Sequence, residues 1–147
     1  MDTNNPLALD NQLCFTLYSA SLAMTQAYKP LLEPLGLTYP QYLVMLILWE
    51  QDGIQLKEIG ARLGQKSGAL TPVIKRLEAE GRVKRVRDAQ DERALSICLT
   101  PAGKALREKG QEVNQCILKA CSIEVSELID LKEKLDNLRK NIHENNS

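Results

Sequence analysis

The chain has 147 residues, of which 44% are hydrophobic and 4% aromatic, and its 19 basic residues balance 19 acidic ones. This length fits one domain with its own core, and the zero net charge excludes a chain coated with basic charge along its whole length. No apolar run is long enough to cross a bilayer, and the first ten residues lack the basic start and apolar block of a signal peptide, so we expect a cytoplasmic protein with no membrane partner.

The first 36 residues predict a helix followed by a short turn. Asp10 is placed to cap a helix that runs to about residue 29. The prolines at positions 30 and 34 then break the chain before Gly36. The apolar stripe of this helix consists of Leu13, Leu17, Ala20, Met24 and Ala27.

A buried helix and a short strand are predicted next. Thr38, followed three residues later by Gln41, has the spacing of a capping box. The residues that follow are apolar on nearly every side of a helix, and such a helix is buried, so we place it at the centre of the fold. Asp52 and Gly53 predict a turn, after which residues 54–55 are expected to pair with a later hairpin.

Residues 56–103 predict a winged helix-turn-helix. A helix over 56–63 ends at Gly64, and a second helix starts at Ser67 or Gly68 and ends at Gly81. Pro72 is expected in or near the first turn of that helix. Residues 83–87 and 94–99 alternate like paired strands around a polar tip at 88–93. The predicted fold class is therefore mainly α with a small β wing, and the second helix is expected to enter the DNA major groove.

Residues 75–87 contain six basic side chains and two acidic ones, where the groove helix meets the wing. A charge run is more often a solvated face, but this position favours contact with phosphate. Lys75 and Arg76 are expected to grip phosphate, or alternatively to pair with nearby glutamates. Arg93 is predicted to enter a narrow A·T-rich minor groove, with Asp91 either holding it or shaping the turn. The candidate DNA contacts are Ser67, Ala69, Thr71, Lys75, Arg76, Arg87, Asp91 and Arg93.

The C-terminal third predicts two helices. Thr100 and Pro101 open one that runs to about residue 120, and Ser122 is expected to cap the last. The last helix carries an apolar stripe at alternating steps of three and four, made by Leu128, Leu131, Leu135, Leu138 and Ile142. This stripe could pack on its own domain, but a helix from a second copy is the natural cover, so we predict a homodimer.

Cys14 is a candidate redox-sensing thiol on the first helix. Helical steps place Tyr18 and Tyr28 on its face, and phenol hydroxyls can donate hydrogen bonds to a thiolate. A thiolate that attacks a peroxide becomes a sulfenic acid, which a second thiol captures as a disulfide. Cys116 and Cys121 are the candidates for that second thiol. The plain alternative is a small cysteine packed at an interface.

The remaining chemistry-bearing residues predict no further site. Cys98 alternates along a wing strand and is expected to be structural, and His143 lies in a polar tail. Because the cysteines form no Cys/His cluster, we predict no metal and no cofactor. A thiol peroxidase would leave the basic helix and the wing without a purpose, so we predict no catalytic residue and no enzyme.

Four segments resemble the MarR superfamily, and within it the organic hydroperoxide resistance regulators. They are DNQLCFTLYSA at 10–20, LTYPQYLVMLILWE at 37–50, SGALTPVIKRLE at 67–78 and DERALSICLTPAG at 91–103. The last two patterns occur across the superfamily, and the first two are specific to its peroxide-sensing branch. The resemblance extends from about residue 9 to residue 138.

The resemblance implies a homodimeric repressor made of one domain over 1–147, with dimerisation helices at 10–36 and 101–143 and a DNA-binding lobe at 37–100. Cys14 matches the reactive cysteine of the family. Tyr28 and Tyr39 match the tyrosines that hydrogen-bond it across the dimer, and Tyr18 matches a nearby third. Members with a distal cysteine form an intersubunit disulfide; Cys116 is the first choice for that role and Cys121 the second. Arg93 matches the wing arginine, with Asp91 as its neighbour.

The implied function is redox-controlled repression. The reduced dimer would bind a pseudo-palindromic operator controlling an organic hydroperoxide reductase, and oxidation of Cys14 by an organic hydroperoxide would release it. The alternative is a MarR-like repressor that answers a phenolic or other aromatic ligand in the dimer cleft. One departure lies at 64–66, where Gly-Gln-Lys replaces the Tyr-Leu-Asp common in relatives, and it could alter operator preference.

Overall fold

The computed structural model describes residues 4–91 and 93–146, and it confirms a mainly helical fold with a small antiparallel sheet. Two single-turn 3-10 helices at Leu9–Asn11 and Glu33–Leu35 flank the first long helix. The helices are α1 (Leu13–Leu32), α2 (Tyr39–Glu50), α3 (Leu56–Leu63), α4 (Ser67–Ala79), α5 (Pro101–Ala105), α6 (Arg107–Cys121) and α7 (Val125–Asn145). The strands are β1 (Ile54–Gln55), β2 (Val83–Arg87) and β3 (Leu95–Leu99), in the order β1-β3-β2.

The start and end of α1 both differ from the prediction. Asp10 lies in the preceding 3-10 turn, so the predicted cap at this residue is wrong, and Gln12 occupies the N-cap position instead. The Gln12 side chain donates backwards to the carbonyls of Pro6 and Ala8, which fastens the N-terminal segment to the helix. Pro30 lies inside the last turn of α1, where a proline removes only one helical hydrogen bond and the helix can continue to Leu32.

α2 is the central helix, as predicted. The hydroxyl of Thr38 accepts from the Gln41 N–H and the Gln41 side chain accepts from the Thr38 N–H, which completes the capping box. Val44, Met45 and Leu48 are at most 1% exposed. α2 was predicted to be buried on nearly every side. Leu46 differs from this prediction, because it is 40% exposed beside α6.

The helix-turn-helix is confirmed in α3 and α4. Gly64 ends α3 with a φ of +68°, in the left-handed region that favours glycine. α4 starts at Ser67, and Pro72 is its sixth residue, so the prediction of a proline in or near the first turn is wrong by about one turn. The proline is tolerated because the carbonyl it fails to reach belongs to Gly68, which is exposed to water.

The two strands of the wing pair as the alternation predicts, except that the second strand begins at Leu95 and not at residue 94. Val83 faces Leu99 and Arg87 faces Leu95, while Ile54 of β1 pairs with Ile97 on the other side of β3. The Asp52 carboxylate accepts from the Leu99 N–H at 2.8 Å, which fixes the turn before β1 to the end of β3. β1 therefore attaches the wing to the helical core.

A joint formed by Gly81, Arg82, Thr100 and Gly103 connects the end of the wing to α5. The Thr100 hydroxyl donates to the Gly81 carbonyl at 2.7 Å and accepts from the Gly103 N–H at 3.1 Å, which confirms the predicted cap. The Arg82 carbonyl accepts from the Thr100 N–H, and a Cβ added at Gly103 would overlap that carbonyl oxygen. The indole of Trp49 donates to the Gly103 carbonyl at 2.9 Å, which ties α2 to the same joint.

The predicted single helix from 101 to about 120 is wrong, because it is divided at Leu106 into α5 and α6. Leu106 has a ψ of −13°, away from the helical value near −42°. The joint holds α5 at one end, whereas α6 packs Gly110 against the Trp49 ring, where a Cβ would lie 2.6 Å from a ring carbon. The division at Leu106 thus lies between two glycines, Gly103 and Gly110, that both contact Trp49.

The predicted cap at Ser122 is also wrong. Ser122 ends α6 in the left-handed region with a φ of +53°, and its N–H and hydroxyl both donate to the Lys119 carbonyl. Glu124 occupies the N-cap position of α7. Within the described part of the chain no residue of α7 is buried, and the apolar stripe is uncovered: Leu131 is 49% exposed and Ile142 is 50% exposed.

Among the described residues, no single helix has both the length and the apolar character needed to span a bilayer. α1 with its following turn and α2 reach that length and composition only as a pair bent by 71°.

Candidate redox site and DNA interface

Cys14 is the second residue of α1, and its side chain is exposed. Tyr18, one turn further along the helix, is 69% exposed. Leu13 beside the cysteine is also 55% exposed, so the thiol lies on an apolar surface that the single chain leaves open. An exposed thiol in the first turn of a helix can be reached by a peroxide.

Tyr28, at the other end of α1, belongs to an aromatic cluster. Its ring centroid lies 5.0 Å from that of Tyr39 and 5.5 Å from that of Tyr42, and Tyr42 continues to Trp49 at 6.3 Å. Burial first, and then the neighbouring Tyr42, Tyr39 and Cys121, together raise the pKa of Tyr28 to about 12. Burial also raises the pKa of Tyr39. Both phenols therefore keep their protons and remain hydrogen-bond donors at neutral pH.

The structure does not bring Cys14 and these phenols together within one chain. Cys14 and Tyr28 are fourteen residues apart on one helix, a distance of about 21 Å at 1.5 Å per residue. Tyr39 lies beside Tyr28 and so shares its distance from the thiol. A thiol–phenol site thus requires a second copy of the chain.

All four cysteines, each within the described residues, are unpaired. Cys116 is exposed on the outer side of α6. Cys121, the last residue of α6, is half-buried on the face that also carries Val113 and Ile117. Cys121 contributes to the raised pKa of Tyr28, after burial and the two neighbouring tyrosines. The two candidates for the second thiol therefore differ in their surroundings.

The candidate DNA contacts on α4 follow one side of the helix. Ala69, Lys75 and Arg76 are exposed, opposite the buried Leu70, Ile74 and Leu77. The side chains of Ser67 and Thr71 are half-buried near the start of the helix. The Thr71 hydroxyl donates to the Ser67 carbonyl at 3.1 Å. An α-helix with one polar exposed face and one buried face can lie in a major groove.

Ion pairs use part of the basic charge between residues 75 and 87. Arg85 contacts Glu78 at 3.0 Å, and hydrogen bonds from the Arg85 side chain and then from its N–H lower the pKa of Glu78. Arg76 contacts Glu80 at 3.4 Å, which supports the alternative of a salt-bridged pair for this residue, although its side chain is 71% exposed. Exposed pairs of this kind are weak and can exchange their partner for phosphate.

On the wing, Arg93 is exposed and follows a tight turn. The Asp91 carboxylate accepts from the Arg93 N–H at 3.0 Å, so it contacts the arginine through the backbone and shapes the turn. Arg87 is exposed at the end of β2. Glu92, within the predicted polar tip, lies outside the described residues.

Three residues in these sites were not identified from the sequence. Tyr42 is buried in α2, and its phenol donates to the Gly110 carbonyl at 3.3 Å. Because its neighbours in the sequence are apolar, nothing in the local pattern indicated a polar contact from it. Gln55 donates through Nε2 to the Asp88 carboxylate at 3.0 Å. Hydrogen bonds from the Gln90 N–H and then from Gln55 lower the pKa of Asp88. The contact spans 33 residues, so local spacing could not reveal it.

Across residues 4–91 and 93–146, no group of three His, Cys, Asp or Glu side chains is arranged to hold a metal ion.

Sequence comparison gives one family and several relatives. The family of the transcriptional regulators SarA and Rot matches residues 26–113. The transcriptional regulator TtmR of Methylorubrum extorquens is 45% identical over 140 residues, which cover 95% of this chain and 72% of TtmR. The organic hydroperoxide resistance transcriptional regulator of Bacillus subtilis is 43% identical over 140 residues, which cover 95% of each chain.

Structural comparison gives AbfR, a protein of Staphylococcus epidermidis. Reduced AbfR bound to DNA matches with a TM-score of 0.82 and 38% identity, over 95% of each chain. AbfR with its disulfide formed matches with a TM-score of 0.62 and 39% identity, over 92% of this chain and 90% of AbfR. The present structure is therefore closer in shape to the reduced, DNA-bound form of AbfR than to its disulfide form.

Proposed function

The chain belongs to the SarA/Rot-type transcriptional regulators of the MarR superfamily, and we propose that it is a DNA-binding repressor released from its operator when organic hydroperoxides oxidise Cys14. The observation that carries the proposal is the geometry of α1. An exposed thiol lies at one end of this helix, and a pair of protonated phenols lies at the other. Two copies in opposite directions would bring each thiol to the phenols of its partner.

DNA binding is supported by the exposed face of α4 and by the wing beside it. AbfR, whose fold this chain shares at a TM-score of 0.82, is bound to DNA in its reduced form. We assign Ser67, Ala69, Thr71, Lys75 and Arg76 to the major groove and its phosphates, and Arg87, Asp91 and Arg93 to the wing contacts. Two such lobes related by a two-fold axis bind a pseudo-palindromic operator.

A homodimer is supported by the uncovered apolar surfaces of the terminal helices. Leu17 of α1 and Leu135, Leu138 and Ile142 of α7 line an open apolar cleft of about 250 Å³. Apolar surface of this kind is costly to leave in water. In one domain over 1–147, residues 10–36 and 101–143 then form the dimerisation region and residues 37–100 form the DNA-binding lobe.

The redox step begins at the Cys14 sulfur. Its thiolate attacks one oxygen of the hydroperoxide, the O–O bond breaks, an alcohol leaves after taking up a proton, and Cys14 becomes a sulfenic acid. The phenols of Tyr28 and Tyr39 from the second copy, with Tyr18 nearby, donate hydrogen bonds that favour the thiolate. A thiolate of Cys116 or Cys121 then attacks the Cys14 sulfur, an S–S bond forms, the S–O bond breaks, and the oxygen leaves as hydroxide, which takes up a proton to become water. In this proposal the hydroperoxide is the signal that changes DNA binding, so the protein acts as a regulator and not as an enzyme.

Release from DNA requires that the oxidised dimer binds the operator less well than the reduced one. AbfR offers a parallel, because its disulfide form differs more from the present structure than its reduced form does. Closing a disulfide across the dimer would draw α1 and α6 together and move the two α4 helices out of register with the DNA. In the cytoplasm, thiol reductants would restore the reduced repressor.

A second candidate function is favoured by one cavity. Thr25, Leu32, Leu37 and Tyr39 line an open and mainly apolar space of about 320 Å³, which is large enough for a phenolic ligand. In this case the ligand would release the DNA and the cysteines would be incidental. Release of a cysteine-free variant by a phenolic compound would support this candidate.

A gel-shift experiment tests the proposed function. The reduced protein is mixed with DNA from the region upstream of its own gene, then treated with cumene hydroperoxide and finally with dithiothreitol. We expect a retarded band that disappears with the hydroperoxide and returns with the reductant. A band that persists after Cys14 is shown by intact mass to be oxidised would contradict the proposal.

A further inference from the structure

We propose that Gln55 and Asp88 position the wing, and that Gln55 thereby controls how Arg93 meets the DNA. The proposal rests on the proposed DNA-binding function and adds to it a residue that does not itself lie among the DNA contacts. Gln55 is the last residue of β1, next to the start of α3. Asp88 is the first residue of the wing tip, directly after β2.

A chain of hydrogen bonds leads from the helical core to Arg93. Gln55 Nε2 donates to one oxygen of the Asp88 carboxylate at 3.0 Å, and the Gln90 N–H donates to the other at 2.9 Å. Asp88 also donates its N–H to the Ala94 carbonyl, and the Asp91 carboxylate accepts from the Arg93 N–H. The hydrogen bond from the Gln55 amide to Asp88 thus connects β1 to the tip of the hairpin.

The position of Gln55 is unfavourable for stability alone. Its Oε1 atom is buried and, among the described residues, has no hydrogen-bond partner. Burying an unpaired carbonyl destabilises a fold, and an apolar side chain at this position would avoid that cost. The amide is therefore best explained by the contact that it does make, which is with Asp88.

Gln55 and Arg93 line the same cleft between the wing and the helix-turn-helix. This cleft has a volume of about 280 Å³ and is also lined by Lys57 and Ser67, at the starts of α3 and α4. Without the Gln55 side-chain contact, the wing would keep the backbone pairing of β1 with β3 and of β3 with β2. The residues of the tip, which lie beyond that pairing, could then swing away from the cleft. A charged contact loses affinity when the elements that orient it are loosened.

The test uses the near-isosteric variant Gln55→Met in the reduced full-length protein. Affinity is measured by fluorescence anisotropy with a labelled duplex from the region upstream of the protein's own gene. We expect a loss of about three- to tenfold, the range that corresponds to one ordinary hydrogen bond. The matched control is Gln111→Met on the exposed surface of α6, which should leave the affinity unchanged.

Two further variants separate positioning from a general structural effect. In an Arg93→Ala background, Gln55→Met should change the affinity by less than about twofold, because its effect passes through Arg93. The exchange variant, Gln55→Glu with Asp88→Asn, keeps one amide opposite one carboxylate, and should restore the wild-type affinity and the protection of the flanking minor groove in a hydroxyl-radical footprint.

The outcomes are distinguishable from failure of the proposed function. Wild-type protein that does not bind the duplex contradicts DNA binding itself. Wild-type binding combined with an unchanged affinity of Gln55→Met, or with the same loss in both backgrounds, overturns the positioning role. An exchange variant that folds with the wild-type melting temperature but stays weak overturns it as well.

Discussion

The ring of Tyr28 lies 5.0 Å from the ring of Tyr39, centroid to centroid, at the opposite end of α1 from Cys14. This arrangement gives each chain half of two sites: a thiol for one and a pair of phenols for the other. A two-fold dimer would complete both sites with the same contacts, because an isologous interface repeats each contact about its axis. Oxidation at either site would then act on one shared interface.

The first prediction concerns the reactive thiol. Cys14→Ser should bind the upstream DNA with wild-type affinity, because the substituted side chain is exposed and lies outside the proposed DNA contacts. The variant should stay bound at hydroperoxide doses that release the wild-type protein, as measured by gel shift. Cys98→Ser is the matched control and should release normally. Release of Cys14→Ser at the wild-type dose would refute its role as sensor.

The second prediction concerns the disulfide. After hydroperoxide treatment, Cys116→Ser should still be oxidised at Cys14 but should lose the crosslinked dimer on a non-reducing gel. Cys121→Ser is the direct comparison, because its thiol is half-buried whereas that of Cys116 is exposed. If the crosslink survives in Cys116→Ser and disappears in Cys121→Ser, Cys121 is the second thiol.

The third prediction follows from the pKa of Tyr28, which burial first and neighbouring groups second raise to about 12. The folded state holds this proton more tightly than the unfolded state, whose phenol titrates near 10. The stabilisation is therefore complete below pH 10 and is lost as the pH rises from 10 to about 12. The free energy of unfolding should fall more steeply across this window in the wild type than in Tyr28→Phe. Equal slopes in urea denaturation would contradict the buried phenol.

The fourth prediction concerns the apolar stripe of α7. Leu135→Glu places a charge on the proposed dimer surface and should raise the dimer dissociation constant at least about tenfold, because two leucines lose their burial, each worth about 1.5–3 kcal/mol. Sedimentation velocity over a range of concentrations measures this change. Asn137→Glu adds the same charge at an exposed polar position of the same helix and should stay dimeric. A Leu135→Glu variant that dimerises as tightly as the wild type would exclude this surface.

The fifth prediction concerns the joint after the wing. Gly103→Ala should lower the free energy of unfolding by about 2–3 kcal/mol, because the added methyl group overlaps the Arg82 carbonyl oxygen and the backbone must move. Gly68→Ala is the control, since among the described residues its Cβ would face open space. It should change stability by less than about 1 kcal/mol. Thermal and urea unfolding provide the measurement, and equal effects of both substitutions would contradict the close approach.

Local patterns predicted most of the helices and strands. The Thr38–Gln41 capping box, the turn at Gly64 and the Thr100 cap depend on residues at most three or four positions apart, and each forms as predicted. Where tertiary contacts decide, the prediction failed. The break at Leu106 depends on Trp49 and on the wing joint, and neither contact is visible from residues 101–120.

The candidate site shows the same division between local and distant contacts. Helical spacing correctly placed Cys14, Tyr18 and Tyr28 along α1, but it could not show that Tyr42 joins the aromatic cluster. The assignment of Asp10 and Ser122 as caps failed because each residue type also suits a turn. Both residues lie in the turns that precede α1 and α7.

The hydrogen bonds of Thr100 attach α5 to the segment between α4 and β2. The Thr100 hydroxyl and N–H bind the carbonyls of Gly81 and Arg82, and Trp49 fastens α5 to the same place. The short helix at Pro101–Ala105 is consequently fixed both to the end of the wing and to α2. Its division from α6 falls at Leu106, seven residues beyond Leu99, where the last strand of the wing ends.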